Sequence, residues 1–350
     1  MQENENRLLE IPRVSIPFSG RIDPRVHQLE KLHWQWCVDM GLVTPHMPES
    51  DYLDLKYTWC GCCYSYGATL EGARIITDLT AWYFIFDDQH DRCIIEGRTR
   101  DWENLSRTLR EVLRTPGEDW TDSNPIVRAL ADILTRLRLE FSDCWYQRLA
   151  RHFSDSFSGY DREFEIRSDA KRDMDLDAFI PLRRLSVAMI MWMDMVELAA
   201  QTELPQSTYH LPDYQVCLTA AADFAALCND LHSHRKEAAA ADINNIVTVI
   251  SRTKKIELSE AVAETVQRME DNLQAFLAAE RRLLQDMSVL ALHEETKQGL
   301  HRCLMIMRDW FANMDKWHRM STRYEVNDEQ QIQSYNEDLL GNGMSVTMDL

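Results

Sequence analysis

Apolar residues recur at three- and four-residue spacing along most of the chain, and this constrains the fold more than any other feature. Val26, Leu29, Leu32 and Trp36 form one such row, and Ile126, Leu130, Ile133 and Leu137 form another. Spacing of this kind puts one apolar stripe on one face of an α-helix. Asp23-Pro24 and Asn124-Pro125 precede these rows, each a capping residue before a proline suited to a first helical turn. No sustained two-residue alternation is found. Asn342-Gly343 lies in the tail and does not join two apolar runs. With 11 glycines and 10 prolines there are too few breakers for a many-stranded sandwich. Helices are expected near 24–42, 66–95, 101–114, 125–153, 175–201, 211–239, 242–253, 258–287 and 290–320. Loops are expected at 43–57, 115–124, 154–174 and 202–210.

A single all-α domain, a helical bundle over residues 1–325, is the simplest arrangement, because no linker or internal repeat divides the chain. Residues 326–350 differ. They carry Asp328, Glu329, Glu337, Asp338 and Asp349 with no lysine or arginine, so they are expected to form an acidic, disordered, mobile extension.

The chain has 350 residues, long enough to bury a core without disulfides. Its net charge of -19 argues against a nucleic-acid partner, which needs a basic patch. An anionic substrate remains compatible if divalent cations stand between it and the protein. Nine cysteines, an odd number without a disulfide spacing, point to reduced and mostly buried thiols. The start, MQENENRLLE, lacks the basic flank and apolar run of a signal peptide. The apolar run Leu185 to Met193 is too short to span a bilayer. A cytoplasmic protein without a transmembrane segment is expected, and a homodimer is compatible with the sequence.

Two polar clusters carry the chemistry. In Asp87-Asp88-Gln89-His90-Asp91, Asp87 and Asp91 lie at i and i+4 on one helical face, at the end of a very apolar helix. Like charges so placed repel. A magnesium ion, which takes hard oxygen ligands, would offset that repulsion. The alternative is a solvated acidic helix end, with Arg92 for partial neutralisation.

In Asn229-Asp230-Leu231-His232-Ser233-His234-Arg235-Lys236-Glu237, the residues Asn229, Ser233 and Glu237 fall at i, i+4 and i+8. An amide, a hydroxyl and a carboxylate then line one stripe. Lys236 lies near the same face, where it can meet an anion above the metal. An ordinary polar helix is the alternative, but this pattern is far more specific than the first.

On these motifs the chain resembles the class I terpene synthases of the bacterial and fungal single-domain type. The family's aspartate-rich motif appears as Asp87 to Asp91, and its second metal motif as Asn229 to Glu237. Its late Arg-Tyr pair appears as Arg323-Tyr324, and its diphosphate-sensing arginine, 46 positions before the asparagine, falls on Arg183 with Arg184 as the nearest rival. Residues 1–22, with Ile11-Pro12, Pro17-Phe18 and Arg21, resemble the strand-like N-terminal segment that caps the site in relatives. Two departures stand out. Ser186 and Val187 occupy positions where many relatives have Gly or Thr at a helix kink, and Ala241-Asp242 replaces Gly-Asp.

The resemblance implies ionisation of a prenyl diphosphate by three magnesium ions, with manganese as an alternative ion. Asp87 and Asp91 are implied on one metal wall, and Asn229, Ser233 and Glu237 on the other. Arg183, Lys236, Arg323 and Tyr324 are implied on the diphosphate. The carbocation left behind calls for an apolar, aromatic wall. Phe84, one turn before Asp87, and Trp310 are expected there, with Ser186 and Val187 at the kink. Trp192 is a further candidate. Trp82 and Tyr83 are expected to pack in the core, and His90 and His232 to be solvent-facing spacers. Farnesyl diphosphate is the favoured substrate, ahead of geranylgeranyl diphosphate and a C10 diphosphate. The alternatives are a chain-elongating prenyltransferase and a non-enzymatic all-α interaction protein.

Overall fold

The computed structural model describes residues 11–44, 46–168, 174–239, 242–287, 292–325 and 338–340. Every regular element among them is a helix: α1 (Val26–Met40), α2 (Glu49–Asp54), α3 (Tyr57–Cys62), α4 (Leu70–Ile95), α5 (Thr99–Arg114), α6 (Pro125–Glu140), α7 (Asp143–Arg167), α8 (Leu176–Ser186), α9 (Met189–Ala199), α10 (Gln206–Tyr209), α11 (Pro212–Ala239), α12 (Ile246–Lys254), α13 (Leu258–Asp286), α14 (Glu294–Met320) and a 3₁₀ turn at Thr322–Tyr324. Helices α4, α7, α8, α9, α11 and α14 surround one central pocket. Outside them α13 packs on α11, and α1, α5 and α6 pack around α4. No helix among the described residues is long and apolar enough to cross a membrane. All nine cysteines are unpaired, and eight of them are buried.

Side-chain caps explain several helix starts. Asn124 caps α6 by accepting from the Val127 N–H, and Pro125 opens the helix as its spacing predicts. Thr69, Ser142 and Asp175 do the same for α4, α7 and α8. Asp23 does not cap α1. Its buried carboxylate is held by Arg25 and Ser65 instead.

Three expected boundaries are corrected. The helix expected over 125–153 is two helices, parted where Phe141 turns extended (φ -134°, ψ 162°) and Ser142 starts a new cap. The second of these, α7, continues to Arg167 through residues expected to be a loop. Its serine- and glycine-rich stretch reads as a breaker locally, but Ser156 and Gly159 face the core, and burial overrides propensity.

The helix expected over 175–201 is also broken. Val187 ends α8, and Ala188 adopts a left-handed conformation (φ 56°) before α9. The break presses against α7 at Gly159, where a Cβ would lie 2.6 Å from the Ser186 nitrogen. Gly159→Ala should therefore destabilise the protein by about 1–3 kcal/mol, the usual range for overpacking. Urea unfolding checks this, and an unchanged midpoint would show that the break can shift freely.

Of the N-terminal segment, residues 11–22 form no regular element and run along α14. Arg21 forms a two-point ion pair with Asp309, and the Arg319 guanidinium donates to the Ile11 carbonyl. Of the acidic tail, 326–337 and 341–350 lie outside the described residues, as does Ala241. Asp338 to Leu340 are described: Leu339 and Leu340 are buried, the Leu339 N–H donates to Gln89, and Arg98 pairs with Asp338 at 2.8 Å.

Candidate active site

The central pocket brings the two polar clusters together. Asp87 and Asp91 at the end of α4, Asn229 and Glu237 on α11, Arg183 on α8, and Asp242 and Asn244 after α11 all line it. The pocket encloses about 880 Å³ between its walls, mouth included.

The first wall is strongly acidic and dressed with cations. Carboxylate oxygens of Asp87, Asp88 and Asp91 lie within 4.8 Å of one another. Arg323 donates to Asp87 at 2.9 Å and to Asp88 at 2.6 Å. The Tyr160 hydroxyl donates to Asp87 at 2.9 Å, and Arg167 to Asp91 at 2.7 Å. Asp88 is buried away from the pocket. Burial pushes its carboxyl up, against the pull of Arg323 and Lys236. Burial also opposes ionisation of Asp91, but Arg167 and Lys236 outweigh it and hold that carboxyl down.

The second wall follows the stripe read from the sequence, because α11 is unbroken through it. The Asn229 carbonyl accepts from Arg183 at 3.1 Å, and its amide donates to the Tyr324 hydroxyl at 3.1 Å. Asn245 donates to Glu237 at 2.7 Å and approaches the Ser233 hydroxyl at 3.5 Å. Lys236 spans the gap between the walls, 3.7 Å from Asp88. Arg183 is paired with Asp230 at 2.6 Å and lies 3.8 Å from Glu163.

The donor chemistry of both walls fits divalent cations. Asp87, Asp91 and Glu237 line one space with carboxylates, Asn229 adds a neutral oxygen beside them, and Ser233 stands one turn on from Asn229 along the same helix, behind the surface. Glu237 shows the shortage of positive charge directly. Burial, then the charges of Asp230 and Asp242, push its carboxyl well above the usual range.

Glu163 on α7 behaves alike. Burial pushes its carboxyl up to about 7, against Arg183 and a hydrogen bond from the Ser186 hydroxyl. A carboxyl raised in this way binds its proton more tightly folded than unfolded. Its contribution to stability is complete below its unfolded value and is lost as pH rises through its folded value. His90 and His318, both held down to about 3 by burial first, exert their pH effect below that window. Without divalent ions, the melting temperature should therefore fall as pH rises from about 6.5 to 8. Magnesium should restore it at the upper end, because a carboxylate ligates a metal only when ionised. Thermal melts with chelator or magnesium across this range check the sign, and a metal-free protein that gains stability over it contradicts the assignment.

Below the metal walls the pocket is aromatic and sulfur-rich. Phe84 stacks on Tyr57 at 4.9 Å and on Trp317 at 5.2 Å, and the Arg323 guanidinium lies over its ring. Trp310 and Trp192 line the same space, in contact with Tyr64. Val187 lines it too, whereas Ser186 stands behind it on Glu163. Ser233, Lys236, Arg323 and Tyr324 also stand behind the surface: Arg323 bonds to Asp87 and Tyr324 to Asn229, whereas Ser233 meets Asp230 and Asn245, and Lys236 meets Asp88.

Two expectations about single residues are corrected here, and one half of a third. Tyr83 lines the pocket, where core packing was expected; Trp82 is wholly buried, with its indole N–H on the Ile126 carbonyl. His90 is no spacer: it is fully buried against Trp102, Tyr160 and Phe164. His232 is held by Asp315 at 3.0 Å with little exposure. Tyr160, Glu163, Arg167 and Asn244 were not legible as site residues. Three of them lie on the part of α7 that reads locally as a loop.

This arrangement matches known proteins. The family described as terpene synthase family 2, C-terminal metal binding, matches residues 78–275. The epi-isozizaene synthase of Streptomyces coelicolor is 31% identical over 323 residues, covering 91% of this chain and 89% of that protein. A (-)-beta-caryophyllene synthase of Saccharothrix espanaensis, named as farnesyl diphosphate cyclizing, is 25% identical and covers 93% of each chain. A solved cucumene synthase variant shares the fold with a TM-score of 0.77 at 24% identity, covering 89% of this chain and 100% of its own. The chain therefore belongs to the terpene synthase family. It is a lyase that acts on a prenyl diphosphate, releases diphosphate and binds divalent metal.

Proposed function

We propose that this protein ionises farnesyl diphosphate with three magnesium ions and cyclises the resulting carbocation to a sesquiterpene hydrocarbon or alcohol. The observation that carries this reading is the joining of two oxygen-donor walls and one aromatic cavity in a single pocket. Asp87, supported by Asp91, would hold two ions, and Asn229, Ser233 and Glu237 the third. Bound magnesium supplies Lewis-acid stabilisation of the leaving diphosphate.

The chain's own groups do the rest. Arg183, Lys236, Arg323 and Tyr324 lie behind or between the metal walls and would orient the diphosphate. Each now bonds to a neighbouring side chain of the two walls, so they are preplaced and need little reorganisation. Phe84, Trp310, Trp192 and Tyr83 line the cavity with aromatic rings, a residue type that attracts cations and supplies no strong nucleophile. A cytoplasmic setting suits the nine unpaired thiols.

The farnesyl chain length is supported by the named activity of the caryophyllene synthase. Incubation with C10, C15 and C20 diphosphates plus magnesium, followed by gas chromatography and mass spectrometry, tests it. A cyclic C15 product is expected. Turnover of only the C20 or C10 substrate would overturn the farnesyl assignment and leave the class of enzyme intact.

A further inference from the structure

A second set of metal-binding side chains meets between α11 and α14, next to the active site and separate from its carboxylates. Cys228 and His232 lie one turn apart on α11, and Asp315 and His318 lie one turn apart on α14. The Cys228 sulfur, a ring nitrogen of His232 and a carboxylate oxygen of Asp315 all lie within 4.8 Å of one another. His232 Nε2 is 3.0 Å from Asp315 Oδ1, and His318 Nδ1 is 3.7 Å from the Cys228 sulfur. In a tetrahedral zinc site, bonds of about 2.0–2.3 Å place neighbouring ligand atoms about 3.3–3.6 Å apart. The 3.0 Å and 3.7 Å separations lie close to that range, and the others among Cys228, His232 and Asp315, all within 4.8 Å, would have to close by up to about 1.5 Å.

We propose that Cys228, His232 and Asp315 form a binding site for one divalent transition ion of the zinc class, with His318 at the fourth position. The donor set separates it from the magnesium walls. Thiolate and imidazole select zinc-like ions, whereas magnesium takes oxygen. Binding releases the Cys228 thiol proton to solvent, and the thiolate and carboxylate then balance the ion's charge. Arg319 Nε already holds both Asp315 oxygens, Oδ1 at 3.0 Å and Oδ2 at 2.9 Å, as a partner that fixes a ligand's orientation. His318 would give up its 2.8 Å bond to the Met314 carbonyl, the ring proton shifting from Nδ1 to Nε2, so that Nδ1 is free to meet the ion. Asp315 is partly exposed and gives the route in, while Cys228 is buried. The ion would tie α11, which carries Asn229, to α14, which leads into Arg323-Tyr324.

Cobalt(II) is the probe, added to the full-length, chelator-treated protein. One equivalent should give intense tetrahedral d–d absorption and a thiolate-to-cobalt charge-transfer band. Magnesium in excess should not displace it. Cys228→Ser should abolish the charge-transfer band. His232→Gln, which keeps the fold more surely, should weaken cobalt binding at least about 100-fold, more than loss of an outer partner costs. Asp87→Asn should leave the spectrum unchanged. A spectrum without the thiolate band, or one indifferent to Cys228→Ser and His232→Gln, would overturn the proposal and reduce the cluster to a His232–Asp315–Arg319 ion pair beside a bystander thiol.

Discussion

Asn229→Ala should abolish product formation while the protein stays folded. The wild-type side chain joins three groups of the site: it accepts from Arg183 and donates to Tyr324, and it would offer its carbonyl oxygen to a metal ion. Alanine removes the oxygen and leaves Ser233 and Glu237 as an incomplete set. Losing one preplaced electrostatic contact typically costs on the order of 10²–10³ in turnover, and the loss of a metal ligand should cost at least that. The stability cost should be small, about 1 kcal/mol, since two ordinary hydrogen bonds are exchanged for solvation. Product assays beside a circular-dichroism melt separate the two effects. Wild-type-like turnover by the variant would remove Asn229 from the metal set.

The second large effect distinguishes two adjacent arginines. Arg183 lines the pocket and touches Asn229, Asp230 and Glu163. Arg184 points elsewhere and makes a two-point pair with Asp223 in a partly exposed position. Arg183→Ala should lower turnover by about 10²–10³-fold, as for other groups aimed at developing charge. It should also cost several kcal/mol, because Asp230 would be left buried without its cation. Arg184→Ala should change turnover little and stability by no more than about 1 kcal/mol, as a surface pair does. Arg183→Lys controls for the folding cost, since it keeps the charge beside Asp230 and loses the planar fork. Steady-state kinetics on the folded fraction read the contrast. The reverse ranking would put the sensor one residue later.

The fold class was legible because helical periodicity is a local property repeated over most of the chain. The metal walls were legible for a related reason. Each is a short stripe on one unbroken helix, so spacing alone puts Asp87 with Asp91, and Asn229 with Ser233 and Glu237, on common faces. What crosses between helices was not legible. Glu163 and Arg167 reach the pocket only because buried Ser156 and Gly159 keep α7 helical past a stretch of serines and glycine. The break at Val187 and Ala188 depends on the same packing, since Gly159 lets the two chains approach. Tyr83 and Trp82 are neighbours on one helix, and only the neighbouring helices decide which one meets the pocket. The burial of Leu339 and Leu340 against α4 is equally non-local, in a tail whose composition reads as disordered.

The central claim is that two facing walls use divalent cations to hold a diphosphate. Isothermal titration of inorganic pyrophosphate into the full-length protein tests it most directly. Binding heat is expected when magnesium is present, none when it is chelated, and loss of the magnesium-dependent heat in Asn229→Ala. Equal binding with and without magnesium, or undiminished binding in that variant, would contradict it.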